Sequence, residues 1–367
     1  VETIKAAKLA KLKVKNIVNE PTAAALYYVF KNGGSMNGCF AVFDLGGGTF
    51  DISIIKVVSR DVVVLASEGI KKLGGDDFDS ALQKIVQRKY KEKTGEDLDI
   101  KEAYTKTNAE DDKKSLSKRD KVNVRVEKIN IELTREEFEK EIASMLAQTK
   151  MSCEIAIEAA GLGLADIKDV LLVGGSTRVP AVKDIVKDIF KKDPVTTVNV
   201  DEAVCLGASL FSAIKGGPED LTPAQKASIQ KISVSDVAVG YFGTLALNSS
   251  TGKMFNSILI AKNQKIPCEV TKTYYTSYDG QTSVDCTITQ SSLETEDPEM
   301  VETISNEDLS LPSGRRRGQE IDITYAYDDN GTMHASFIDV QTGKETYIKL
   351  SDLTPNVDED FDDYKVD

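Results

Sequence analysis

The stretch that decides how this chain is read is Phe40-Ala-Val-Phe-Asp-Leu-Gly-Gly-Gly-Thr-Phe-Asp-Ile-Ser-Ile-Ile55. An apolar run leads into an acid, three glycines, a hydroxyl and a second acid, and a second apolar run follows. Phe40 to Phe43 and Ile52 to Val58 are short and β-prone, and Gly46, Gly47 and Gly48 between them read as a turn. The stretch therefore predicts a β-hairpin with a glycine tip. Glycine lets a backbone come close to a ligand and turns N–H groups outward. A concave row of such groups binds anions, phosphate above all. Asp44 and Asp51 flank the tip and would repel a phosphate without a cation between them. Mg²⁺ carried with nucleotide phosphates meets that need, because it takes oxygen ligands, few carboxylates and several waters. Thr49 adds a hydroxyl at the same tip. A plain hairpin with an open tip is the alternative that these residues alone leave standing.

Outward from the hairpin, the 367 residues are enough for two or three domains of about 100–200 residues each. A hydrophobic content of 41% suffices for real cores. The net charge of −13 and a pI near 4.9 argue against a nucleic-acid or membrane-surface binder. Arg315-Arg-Arg317 is the one basic cluster and reads as a solvated turn. No apolar run reaches the ~18 residues that span a bilayer, and no signal peptide is visible. The five cysteines, Cys39, Cys153, Cys205, Cys268 and Cys286, show no CxxC spacing. Free thiols in a reducing compartment are expected, the cytoplasm or an organelle matrix such as the mitochondrial one. The single histidine, His334, stands in an alternating run, which excludes Ser-His-Asp and multi-histidine metal sites.

In chain order, Val1 to Lys15 predicts a helix, so the chain is expected to open inside a domain. A second helix runs from Pro21 through Phe30, with proline suited to its start. Glu20 before it either serves the helix start or points into a site. Val62 to Ser67 predicts a third strand. Leu73-Gly-Gly-Asp-Asp-Phe78 opens a helix to about Lys93; Gly74 and Gly75 with the acids after them suit the helix dipole or a ligand. Residues 96–120 read as a solvated charged face. Val122 to Leu133 alternates as a hairpin, and Thr134 with Glu137 forms a capping box on a long helix that Gly161 stops. The strand Asp169 to Val173 runs into Gly174-Gly-Ser-Thr-Arg-Val-Pro180 and a helix to Phe190. That arrangement puts a ligand at the carboxyl end of a strand, where Ser176 and Arg178 suit a base or ribose. Asp201 to Ala213 is a small-residue helix for close packing. Residues 216–225 read as a linker or short helix. Residues 232–350 alternate in short segments split by turns, as an all-β sandwich or barrel does. Within them, 291–319 is expected to be a long loop or insertion. The acidic end from Asp358 is expected to be disordered.

The segments Asn19-Glu-Pro-Thr-Ala-Ala-Ala25, Asp44-Leu-Gly-Gly-Gly-Thr-Phe-Asp51, Gly74-Gly-Asp-Asp-Phe-Asp79, Gly174-Gly-Ser-Thr-Arg178 and Asp201-Glu-Ala-Val204 stand in one order and spacing. With Asn263-Gln-Lys-Ile-Pro267, Asp328-Asp-Asn-Gly331 and Thr342-Gly-Lys-Glu345, they resemble the seventy-kilodalton heat-shock chaperone family over nearly the whole chain. The resemblance implies a multidomain α/β plus all-β fold. Residues 1–215 would be the C-terminal part of an actin-like (ribonuclease H-like) nucleotide-binding domain and 216–235 a linker. Residues 236–350 would be a peptide-binding β-sandwich and 351–367 an acidic tail. It implies ATP or ADP with Mg²⁺, and K⁺, as cofactors. Asp44 and Asp51 would sit by the metal ions. Gly46, Gly47, Gly48 and Thr49 would hold the phosphates, and Glu20 would order the attacking water or the metal shell. Glu110, Lys113, Lys114 and Ser117 would clamp the adenosine, outweighing the solvated-face reading. Gly74, Gly75, Gly174, Gly175, Ser176, Arg178 and Asp201 would form the opposite wall. Thr244, Ala246, Leu247, Tyr274, Ser277, Gln281, Val284 and Cys286 fall where the family grips an extended apolar peptide, mostly through the backbone.

The resemblance thus implies an ATP-dependent chaperone for unfolded segments, served by a J-domain co-chaperone and a nucleotide-exchange factor, with no nucleic acid or membrane partner. Departures temper it. The family's first phosphate loop and its lysine have no counterpart, so this chain alone is expected to hydrolyse ATP weakly or not at all, since phosphoryl transfer needs charge stabilisation from both sides. The family's leucine-rich linker is Ile232-Ser-Val-Ser235, which gives up apolar area worth about 25 cal/mol per Å². The segment that is Asp-Val-Thr-Pro in the family is Asp236-Val-Ala-Val239, and the family's helical lid is not expected after residue 353. Arg316 matches a lid-latching arginine. A non-hydrolysing adaptor or co-chaperone is the first alternative; an actin-like metabolite kinase is the second, disfavoured by the β half.

Overall fold

A computed structural model of the chain describes residues 2–14, 16–32, 36–59, 61–195, 199–216, 222, 223, 226, 229, 233–328 and 332–350. The expected acidic tail from 351 on, Ile232, and most of the expected linker segment 216–225 lie outside the described residues. Contacts divide the chain into two compact units, Val18–Asp236 and Val237–Asp367 together with Val1–Ile17.

Helix α1 (Glu2–Leu9) ends well before Lys15. Lys11 takes φ 58° and the Leu12 N–H donates to the Ala7 carbonyl at 2.8 Å. This left-handed end with a six-to-one bond closes the helix, a feature that the apolar spacing of Leu9 and Leu12 does not reveal.

In the unit Val18–Asp236, helix α2 (Glu20–Lys31) carries proline in its first turn and buries Ala23, Ala24, Ala25 and Leu26. Strands β1 (Gly38–Leu45), β2 (Phe50–Val58) and β3 (Asp61–Ile70) follow. β1 and β2 form the expected hairpin, antiparallel, with Asp44 opposite Asp51. Helices α3 (Gly75–Thr94), α4 (Ile100–Ala103) and α5 (Lys106–Leu116), strands β4 (Lys121–Val126) and β5 (Ile129–Thr134), and the long α6 (Arg135–Ala159) come next. Thr134 and Glu137 make the capping box of α6. β6 (Ile167–Val173) pairs parallel with β1 and feeds, through a single 3-10 turn at Gly175–Arg178, into α7 (Pro180–Phe190). Helix α8 (Ala203–Lys215) packs on α2; a Cβ at Gly207 would lie 1.7 Å from the Ala23 carbonyl oxygen, so only glycine permits this approach. β7 (Ser233–Val237) lies parallel to β3, with Ser233 opposite Asp61.

Side chains alternate across a strand. Ala41, Phe43 and Leu45 of β1 and Phe50, Ile52 and Ile54 of β2 join a core with Phe78, Phe138, Ile142 and Val182 from α3, α6 and α7. The opposite face carries Phe40 and Val42, also buried, on the side of α2. Burial on both faces explains the near-continuous apolar runs around the glycines.

The other unit holds β8 (Tyr241–Leu247), β9 (Met254–Ile260), the two-residue β10 (Lys265–Ile266), β11 (Cys268–Tyr275), β12 (Ser283–Ser291), β13 (Glu302–Ser310), β14 (Glu320–Tyr327), β15 (Met333–Asp339) and β16 (Lys344–Lys349). Two four-stranded sheets, in the orders β11-β14-β15-β16 and β13-β12-β8-β9, share one core of Phe242, Ile260, Ile288, Leu309, Ile323 and Phe337. The buried Tyr325 hydroxyl donates to the Gly243 and Thr287 carbonyls at 2.7 and 3.2 Å, tying the sheets together. The loop expected over 291–319 is corrected by β13, which pairs antiparallel with β12. It stands at a sheet edge and buries only Ser305 and Leu309, so its sequence is polar although its backbone is a strand. The five cysteines are free thiols. Among the described residues no helix is long and apolar enough to cross a membrane.

Candidate functional site

The glycine tip is built by its carbonyls. The Gly46 N–H donates to the Thr49 carbonyl at 3.1 Å and closes the turn. The Gly46 carbonyl accepts the Gly75 N–H at 3.0 Å and the Ser176 hydroxyl at 2.8 Å. The Gly47 carbonyl accepts from Asp76 at 2.8 Å and that of Gly48 from Leu73 at 3.3 Å. In a trans peptide the C=O and N–H point in opposite directions. Drawing these carbonyls onto the fold therefore turns the N–H groups of Gly47, Gly48 and Thr49 outward, and all three residues are exposed. Gly174 at φ +85° is packed so closely that a Cβ would meet the Leu45 carbonyl oxygen at 2.3 Å and Asp44 Oδ1 at 2.9 Å.

A cleft of about 540 Å³ opens beside this tip. Gly46, Gly47 and Gly75 form its floor, Glu110, Lys113, Lys114 and Ser117 of the α5 segment one wall, and Gly175, Ser176, Arg178 and Asp201 another. Segments distant in sequence thus converge. Of the residues expected from sequence, Glu20, Asp44, Gly48, Thr49, Asp51, Gly74 and Gly174 are not among the lining residues. Asp76, Asp79, Lys118 and Val179 do line it without having been singled out. Asp79 was legible as an acid beside Phe78 on the buried side of α3, where a charge needs a partner. That partner is Lys113, whose Nζ lies 2.8 Å from Asp79 Oδ1 and donates to the Gly75 carbonyl at 2.9 Å. Burial pushes the Asp79 carboxyl up and the Lys113 bond pulls it back. At the rim Lys114 pairs with Glu110 at 2.8 Å, and Arg178 with Asp201 at 2.6 Å. The Ser117 hydroxyl donates to the Lys113 carbonyl at 2.9 Å.

Glu20, Asp44 and Asp51 form a second group. Glu20 is exposed in the first turn of α2, and its charge reaches both aspartates. Burial, then Glu20, then Asp51 push the Asp44 carboxyl up to about 7. Burial and Glu20 push Asp51 up to about 6. Asp44 Oδ2 is buried with no hydrogen-bond partner among the described residues. The orphaned oxygen of Asp44, a carboxyl raised by burial with Glu20 and Asp51 nearby, fits a cation held partly through water, which is how Mg²⁺ binds. Among the described residues no three His, Cys, Asp or Glu are gathered to hold a metal.

The positions expected to grip a peptide are distributed over the two-sheet unit. Leu247 and Ser277 are exposed, Ala246, Tyr274, Gln281 and Val284 half-buried, and Thr244 and Cys286 buried, main chain included. The Tyr274 hydroxyl donates to Ser257 Oγ at 2.8 Å, and Ser257 is the cross-strand partner of Thr244. The Gln281 side chain accepts the Ser277 N–H at 2.9 Å. The basic run was read as a solvated turn; the correction concerns Arg315, whose guanidinium forks onto the buried Asp339 at 2.6 and 3.0 Å.

Compared with protein families, the chain matches the one described as Hsp70 protein over residues 1–365. With the match covering nearly all of the 367 residues, the chain belongs to the Hsp70 family, a family of ATP-dependent chaperones.

Proposed function

We propose that this chain is an ATP-regulated chaperone that binds extended apolar segments of unfolded proteins. The observation that carries the nucleotide half is the tip whose carbonyls are bound inward and whose Gly46 and Gly47 line a cleft together with Lys113, Lys114 and Arg178. Gly46 to Thr49 would hold the phosphates, and the walls at Glu110–Ser117 and Gly175–Asp201 would hold the adenosine. Asp44 and Asp51 would hold Mg²⁺, with K⁺ nearby, through oxygen and water, and Glu20 would order water beside them. Bound Mg²⁺ supplies neutralisation of phosphate charge. Burial and neighbouring negative charge raise the carboxyls of Asp44 and Asp51, and a cation beside them would favour their ionised forms. The two sheets sharing the Phe242–Phe337 core would be the peptide-binding β-sandwich, gripping main chain with pockets at Leu247, Tyr274 and Val284. A J-domain co-chaperone, an exchange factor and a reducing compartment such as the cytoplasm belong to the same reading.

The test is fluorescence anisotropy of a leucine-rich extended peptide, with and without ATP–Mg²⁺. Saturable binding that ATP–Mg²⁺ loosens is expected. Binding indifferent to nucleotide would favour a non-hydrolysing adaptor. Absence of binding with the two-sheet unit shown folded would overturn the peptide half.

A further inference from the structure

The proposed grip at Ser277 and Gln281 sits on a loop braced from within by the Gln281 side chain, which accepts the Ser277 N–H at 2.9 Å and donates to the Ser283 carbonyl at 2.8 Å. From 277 to 280 every residue is exposed. The loop is also tied to its neighbour, 312–319. The Gly280 N–H donates to the Arg315 carbonyl at 2.7 Å, and the Gly318 N–H to that of Thr276 at 2.8 Å. The Arg317 N–H donates to Asp279 Oδ1 at 2.8 Å. The neighbouring loop is itself anchored by one side chain. Pro312, Ser313, Gly314, Arg316, Arg317 and Gly318 are exposed, whereas the Arg315 side chain is 13% exposed and reaches Asp339, whose side chain is 0% exposed. The fork is completed by Gln319, which accepts from Arg315 at 2.8 Å, and by the Thr342 hydroxyl donating to Asp339 at 2.5 Å.

A buried ion pair adds little net stability over apolar residues of like size, but it admits only one geometry. We infer that the Arg315–Asp339 pair is a positioning device for peptide binding: it holds loop 276–281 in register with the peptide groove without touching peptide. The chain of bonds runs from Asp339 at the end of β15, through the Arg315 guanidinium, along the Arg315 main chain, to the Gly280 amide. This inference rests on the peptide-binding reading of the same unit.

The test uses the full chain with Arg315→Lys, which keeps the charge and loses the fork, and a double variant, Arg315→Met with Asp339→Leu, which removes the pair and leaves no buried charge. Two readouts are taken: hydrogen exchange at the Gly280 and Arg317 amides, and the dissociation rate of the leucine-rich peptide. Faster exchange at both amides in both variants is expected, with peptide release roughly tenfold faster and association changed little. Unchanged exchange overturns the anchor. Faster exchange with peptide release within about twofold of the parent overturns its role in binding. If the parent fails to bind peptide, the chaperone reading and the pair's role in binding both fall, and the exchange data still decide the anchor.

Discussion

Two buried aspartates, one in each unit, show how the same side chain serves opposite ends. Asp44 is nearly inaccessible and one of its oxygens has no partner, so burial and its acidic neighbours push it up to about 7. Asp339 is equally inaccessible, but Arg315 and Thr342 bond it and hold its carboxyl below the ordinary aspartate range. An unpaired buried acid is a cost that the fold bears where something else is to bind; a paired one is a structural joint. Asp339 is complete within its unit, whereas an oxygen of Asp44 has no partner among the described residues, as the proposed cation site would require.

The largest break in this comparison is at the joint. Asp339→Asn leaves Arg315 buried without a counter-charge, and should destabilise the two-sheet unit by about 3 kcal/mol or more, measured by chemical denaturation. Next is Gly174→Ala, which forces a side chain onto φ +85° and against Asp44. It should cost about 2 kcal/mol and weaken nucleotide binding by calorimetry. Asp44→Asn should have the opposite sign. Because the folded carboxyl is raised from 3.8 to about 7, its stabilising contribution is present below about pH 4 and lost as pH rises to 7. The variant escapes that loss, so the nucleotide-free chain should gain about 2 kcal/mol at pH 8 and nothing at pH 4. Asp339 runs the other way: its lowered carboxyl contributes at neutral pH and loses that contribution as pH falls through the acid range. Amide exchange followed in each unit against pH should therefore show opposite slopes from these two residues, flattened by Asp44→Asn and Asp339→Asn respectively. The smallest effect is expected at the exposed Lys114–Glu110 pair, where Glu110→Gln should shift stability by no more than about 0.5 kcal/mol.

The contrast also marks what the sequence made legible. The hairpin was readable because its chemistry is local: two β-prone runs, three glycines and two acids within one short stretch, confirmed as β1 and β2. The strand–turn–helix order at Val173 to Pro180 pointed to a ligand near Ser176, but that Gly75 meets Gly46 and Ser176 followed only from the family resemblance. What failed was non-local or concealed by exposure. Arg315 looked solvated among its arginine neighbours because its partner lies 24 positions away. Glu302–Ser310 looked like a loop because an edge strand with two buried residues carries almost no apolar alternation. Asp79 was readable as a buried acid in need of a partner, but that the partner is Lys113 was not, because the two charges stand on different helices far apart in the sequence.

On the proposed reading, Asp44 makes nucleotide binding depend on a cation. This is tested most directly by calorimetric titration of ADP into the parent and Asp44→Asn chains, with Mg²⁺ and with EDTA. The parent should bind ADP more tightly with Mg²⁺, and Asp44→Asn should lose this Mg²⁺ dependence while remaining folded. An equal response to Mg²⁺ in both chains, or ADP binding by the parent that ignores Mg²⁺, would contradict it.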